Sequence, residues 1–258
     1  MTSRPPPRWT EQTIAGDAYG GAAAAIAAHR TAAGVATMAK QAAACFDRVW
    51  ADIRGHVEAK GPRFACAAGC AWCCNQTVTI APPEAIVIAA HVRAAFSAEA
   101  VAALKARLAA LDDQARGRGA FARGYLKTSC AFLVDGKCSV YDVRPLRCRS
   151  VYSRDVAHCR WVAEHPDLVY AWRDRPLEPS PYPQEPEVIA DAVLSGLATA
   201  ARDAGLAFEA LELIAALRIA LDIPDIAERY LAGEPVFAAA AAESPDAGLP
   251  AEVRQAAP

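Results

Sequence analysis

The chain has 258 residues, is 54% hydrophobic and carries a formal net charge of -2. That composition can bury a sizeable core without covalent staples, and the charge excludes a protein whose whole surface binds polyanions. No apolar run is long enough to span a membrane as a helix.

In chain order, residues 1–20 read as loose. Their opening, MTSRPPPRWTEQ, is polar and Pro-rich and offers no secretory signal, so a reducing, cytoplasmic setting is expected. Residues 21–60 carry helical periodicity, with Val35, Met38, Ala42, Cys45, Val49 and Ile53 on one stripe. Cys45 belongs to that apolar face as a small hydrophobe, apart from the other cysteines. Gly61-Pro62 ends the helix. Then comes CAAGCAWCC, which holds Cys66, Cys70, Cys73 and Cys74, with Gly69 permitting a tight turn. Residues 77–80 read as a short extended piece. Pro82, Pro83 and Glu84 open a helix, since Pro is tolerated in the first turn and Glu suits the positive end of the dipole. Ser97 caps the next one, with Val101, Leu104, Leu108 and Leu111 inside.

Residues 130–141, CAFLVDGKCSVY, predict a hairpin around Asp135-Gly136 that carries Cys130 and Cys138. A two-residue loop would pair Val134 with Lys137 and turn Cys130 and Cys138 to opposite faces. A three-residue loop with a bulge at Gly136 would bring them to one side. Arg144-Pro145 is a bend that delivers Cys148. Ser153 is the expected cap of a short helix from Arg154 that carries His158 and Cys159, of which Cys159 is the better ligand. His29, His56, His91 and His165 read as non-ligands. Residues 176–187 form a Pro-rich linker, 188–204 and 208–221 read as helices, Pro224 opens a third, and 238–258 reads as a disordered tail. The expected organisation is therefore a metal-binding domain over 21–175, the linker, and a helical extension over 188–237. The fold class is mainly α, with an irregular Cys-rich metal-binding core and one short β-hairpin.

Eight of nine cysteines lie between Cys66 and Cys159. A chain this long has no need of a disulfide scaffold, and bonding Cys73 to its neighbour Cys74 would strain the peptide, so metal ligation is the favoured reading over disulfides. From Arg116 to Arg160 there are ten Lys/Arg against Asp135, Asp142 and Asp155. Such a window offsets thiolate charge, forms a solvated face, or, with Tyr125, Tyr141 and Tyr152, contacts nucleic acid. The first is favoured, and the overall charge argues against nucleic acid as partner.

The spacing Cys66-x3-Cys70-x2-Cys73-Cys74, the following TIAPPEA, the CAFL at 130–133 and CSVYDVRPLRCR at 138–149 resemble the YkgJ-type cysteine-cluster family, a zinc- or iron-chelating domain. The likeness covers roughly residues 60–165. It departs at the first spacing, x3 in place of x2. The resemblance implies chelation by Cys66, Cys70, Cys73, Cys74, Cys130, Cys138 and Cys148, with Cys159 the eighth candidate. Flagellin lysine N-methylases of that family carry a similar cluster in a larger chain, and no additional cofactor motif accompanies it here. Oxygen-seeking calcium and magnesium do not suit all-sulfur ligands, whereas zinc and iron–sulfur do. Adjacent side chains diverge, so the Cys73-Cys74 pair favours shared ligation and leans towards an iron–sulfur cluster over zinc. The leading expectation is a metal-binding module. The alternative is a cluster-dependent methyltransferase or oxidoreductase. The C-terminal helices are a candidate surface for a protein partner, and no membrane contact is expected.

Overall fold

The computed structural model describes residues 9–171 and 180–250. Among them eleven helices run in the order α1 (Glu11–Ala28), α2 (Ala32–Glu58), α3 (Pro82–Ala95), α4 (Ala98–Ala115), α5 (Ala120–Gly124), α6 (Leu146–Ser150), α7 (Val156–Glu164), α8 (Pro166–Ala171), α9 (Glu185–Asp203), α10 (Leu213–Asp222) and α11 (Ile226–Leu231). Four two-residue strands accompany them: β1 (Thr79–Ile80), β2 (Leu133–Val134), β3 (Lys137–Cys138) and β4 (Leu211–Glu212). The protein is mainly helical, as expected. Besides the β2–β3 hairpin it has a second antiparallel pair, β1 with β4, which joins segments far apart in sequence.

Within residues 1–20, the chain is already helical from Glu11. Thr10 caps α1 by accepting the Thr13 N–H, and the Thr13 hydroxyl accepts the Thr10 N–H in return. The buried face of α1 is Ile14, Ala18, Ala22 and Ile26. Small residues give it little visible amphipathicity, but they let α9 come close: a Cβ added at Gly196 would lie 2.1 Å from the Ala15 carbonyl oxygen. The chain breaks at His29–Arg30, and Thr31 caps α2. The expected stripe of α2 is buried at Val35, Met38, Ala42, Cys45 and Val49. Its Cys45 is 2% exposed.

α3 opens at Pro82 and α4 at the Ser97 cap, as the sequence indicates. Three other expectations shift. The helix read over 208–221 begins only at Leu213, because residues 211–212 pair with β1 instead. The cap of α7 is Asp155, which accepts the Ala157 and His158 N–H groups, while Ser153 bonds the Asp155 backbone. The linker read over 176–187 lies outside the described residues up to 179, and α9 already starts at Glu185.

Residues 238–250, read from composition as a disordered tail, are placed on the fold. A 3-10 turn at Ala238–Ala240 leads to a bridge between Ala241 and Leu211, the Gly119 N–H donates to the Ala247 carbonyl, and Leu249 packs with Ala122 and Tyr170. Composition missed this because two apolar anchors, Phe237 and Leu249, suffice to seat a segment on a surface already built. One continuous core joins α1–α4 with α9–α11 and takes in Ala131, Phe132, Val140 and Leu146 of the cysteine region. Most apolar residues of α9, α10 and α11 are buried in this core, while Val188 on α9 is exposed. Among the described residues no helix is long and apolar enough to cross a membrane.

Candidate metal centre

The eight clustered cysteines stand on two kinds of support. Residues 62–78 are mostly irregular and have no buried member. Gly69, at φ 90°, makes the turn that an L-residue resists, and a 3-10 turn at Trp72–Asn75 carries Cys73 and Cys74. Outside bonds hold this loop. The Ala65 N–H donates to the Ser153 carbonyl at 2.8 Å, and the Ser153 N–H donates to Cys66 Sγ at 3.3 Å. The Cys130 N–H donates to the Cys74 carbonyl at 2.8 Å, and the Ser129 hydroxyl to Asn75 Oδ1 at 2.8 Å. α7 packs on the 3-10 turn and places the Arg160 guanidinium over the Trp72 ring.

The hairpin has the two-residue loop. Asp135 and Gly136 both take positive φ, 49° and 73°, and Leu133 faces Cys138 while Val134 faces Lys137. This twist matches the strands, which is why Asp-Gly suits the position. On this register alternation alone would turn Cys130 away from Cys138. It does not apply, because the strand starts at Leu133 and a turn from Cys130 to Leu133, closed by a 3.0 Å backbone bond, re-aims Cys130. The Cys138 sulfur adds to the upward pKa shift of Cys130.

Cys148 rides on α6. That helix has no side-chain cap of its own; its first N–H, on Leu146, donates to Glu84 Oε1 at 2.7 Å, and Glu84 Oε2 accepts the Ala81 N–H at 2.8 Å. Glu84 is 5% exposed. Burial raises its carboxyl pKa, against the two N–H bonds and the nearby Arg147 and Arg149, which lower it. Arg149 is buried too. It bonds the carbonyls of Arg144 and Asp142 and both carboxylate oxygens of Asp47 on α2.

All nine cysteines are free thiols. Burial raises Cys66, and Cys70, Cys73 and Cys159 add to the shift, while the Ser153 N–H opposes it. A hydrogen bond with the Cys74 thiol, then burial, pushes Cys73 up strongly. Burial raises Cys130 to about 11, with Cys138 contributing. Burial likewise raises Cys138, where Cys73 adds and Arg144 opposes, and Cys148, where Cys130, Cys138, Cys73 and Glu84 add. Cys66 thus feels Cys70, Cys73 and Cys159, and Cys148 feels Cys130, Cys138 and Cys73. Cys73 is common to both, with Cys74 attached to it. Cys45 is outside: its partners are Asp17 and Arg48, and burial raises it to about 11. Among the described residues no three His, Cys, Asp or Glu side chains close around one point as a metal cage. Burial and neighbouring groups favour the protonated form of Cys66, Cys73, Cys130, Cys138 and Cys148, and a metal would bind there by displacing protons. An all-sulfur donor set of this kind fits zinc or iron–sulfur.

Of the histidines, His158 has a buried Nε2 with no hydrogen bond and lies between the rings of Trp161 and Tyr182. His165 bonds the Trp161 carbonyl and His91 faces Phe96. The basic window works chiefly as ties. Arg123 pairs with Glu212, Arg147 with Asp191 at 2.6 Å, Arg149 with Asp47 at 2.9 Å, and Arg154 reaches the carbonyls of Val57 and Pro62. Sequence reasoning did not single out Ser153 as a donor to sulfur, Glu84 as a link to α6, or Tyr182, whose hydroxyl lies 3.9 Å from Cys159 Sγ. The first two had a signal in their motifs, and Tyr182 had none.

Residues 65–167, which contain all eight clustered cysteines, match the family model described as "CxxCxxCC: Putative zinc- or iron-chelating domain". No curated protein and no solved structure matches the chain.

Proposed function

From that family match we propose that the protein holds a soft metal centre through Cys66, Cys70, Cys73, Cys74, Cys130, Cys138, Cys148 and Cys159, in two connected halves. The observation that carries this is the gathering of the cysteine segments by hydrogen bonds, the Ser153 N–H to Cys66 Sγ and the Cys130 N–H to the Cys74 carbonyl, while Cys45 stands apart in the α2 core. The outer half is Cys66, Cys70, Cys73 and Cys159. The inner half is Cys130, Cys138, Cys148 and Cys74, whose carbonyl already binds the Cys130 N–H. The Cys73 and Cys74 thiols touch through a hydrogen bond, and this adjacent pair is where the two halves join. Such a centre takes two tetrahedral zinc ions or an iron–sulfur cluster with flanking thiolates; either would cross-link the irregular loop to the helical frame.

Purification without air tests the proposal. Zinc at about two per chain supports the paired site, and a brown protein with iron and acid-labile sulfide supports the cluster. Protein that retains neither metal, and takes up neither after reduction and reconstitution, overturns the reading.

A further inference from the structure

Glu84 is a buried carboxylate with no part in ligation, and it sits where two distant segments meet. One oxygen accepts the Ala81 N–H at the start of α3 and the other accepts the Leu146 N–H at the start of α6, 62 residues away in sequence. α6 is five residues long, too short to hold its shape in water unaided. Its own N-terminal neighbour, Pro145, provides no cap. The bond from Leu146 therefore falls to Glu84, and Cys148 lies two residues beyond Leu146. On the other side of Cys148, Arg149 binds the carbonyls of Asp142 and Arg144 and pairs with Asp47 on α2. Leu146, 2% exposed, is itself set in the main core. By contrast, Cys66 stands on irregular chain and Cys73 on a single 3-10 turn, and both residues are exposed.

We propose that Glu84 is a positioning residue for the metal centre: it fixes the Cys148 turn onto α3 before any metal arrives, so that the inner half is pre-organised and the outer loop closes onto it. This rests on the metal-binding reading above. It also gives a physical reason for the glutamate in the TIAPPEA segment and for its partnership with RPLRC. Neither sequence element is a ligand set on its own; the carboxylate joins them across the fold. Groups that hold a ligand's orientation typically change metal affinity about 10–100-fold when altered.

The test uses the full-length, reduced, metal-free chain and cobalt(II), followed by its sulfur-to-metal charge-transfer absorption. Glu84→Gln keeps the size of the side chain, but its amide presents only one acceptor oxygen to two N–H groups. The expected result is cobalt affinity lowered about 10–100-fold. Cys148 should be alkylated faster while Cys45, in the same core, labels at the wild-type rate. Wild-type affinity in Glu84→Gln, or equal acceleration at Cys45 and Cys148, overturns the positioning role; the second result would mean general loosening. If the variant does not fold, the metal-free wild type decides: Cys148 labelling much more slowly than Cys73 supports a preformed turn, and equal rates overturn it. Failure of the wild type both to bind cobalt and to take up iron and sulfide on reconstitution overturns the metal reading itself, an outcome distinct from these.

Discussion

At the scale of single residues, chemistry separates Cys45 from the other eight. Its sulfur lies in the α2 core, 3.6 Å from an Asp17 carboxylate oxygen and far in sequence from any coupled thiol. Serine is a poor soft ligand, so Cys73→Ser is expected to lower bound metal sharply, while Cys45→Ser leaves metal content unchanged; elemental analysis of both variants checks this. Cys45 also predicts a pH effect. Burial raises its folded pKa from the ordinary thiol value of 9.0 to about 11. A group so raised supports the fold while protonated, and that support is lost as pH climbs from about 9 through 11. In the metal-loaded protein the wild type should therefore lose more stability between pH 9 and 11 than Cys45→Ala. Denaturant titrations at the two pH values compare them, and parallel losses would refute the assignment.

At the scale of elements, the least legible feature is the first helix and the most legible is the hairpin. α1 is written in alanine and glycine, and its inner face acquires meaning only against α9. Gly196 lets the two backbones approach, since a methyl there would meet the Ala15 carbonyl at 2.1 Å and the Tyr19 amide nitrogen at 2.9 Å. Gly196→Ala must push the helices apart despite its better helix propensity, and a destabilisation of about 1–3 kcal/mol is expected, read as a lowered denaturant midpoint. A gain in stability would show that the contact is softer than its geometry implies. For the hairpin, Asp-Gly carried enough information to announce the turn. It did not reveal that pairing stops at Leu133, which left the relation of Cys130 to Cys138 to a tertiary turn.

At the scale of the whole molecule, the cysteine region divides by what supports it. Residues 131–150 share Phe132, Val140 and Leu146 with the main core. Residues 62–78 depend on a few backbone bonds and on α7. Where ligands are gathered from separate segments, binding energy becomes folding energy. Stripping metal with a chelator under reducing conditions should expose amides of 62–78 to hydrogen exchange most, those around Cys130 and Cys159 less, and those of α2, α3 and α9 least. A uniform change along the chain, or none, would contradict a metal that fastens a loop to a pre-built frame.

Local pattern was enough to read the burial of Cys45 in α2, the helices at α2, α3 and α4, and the Asp-Gly turn. Each follows from local spacing or from a residue's own backbone preference, which neighbours in the chain express. The packing of α1 on α9, the docking of residues 238–250, the pairing of β1 with β4, and the bonds of Glu84 and Arg149 on either side of Cys148 emerge only in the folded chain. Those depend on contacts between residues far apart in the chain, and no local period encodes them. Arginines that read as a charged window turned out to be ties between segments, because a guanidinium shows its purpose only when the carbonyl or carboxylate it reaches has been brought beside it.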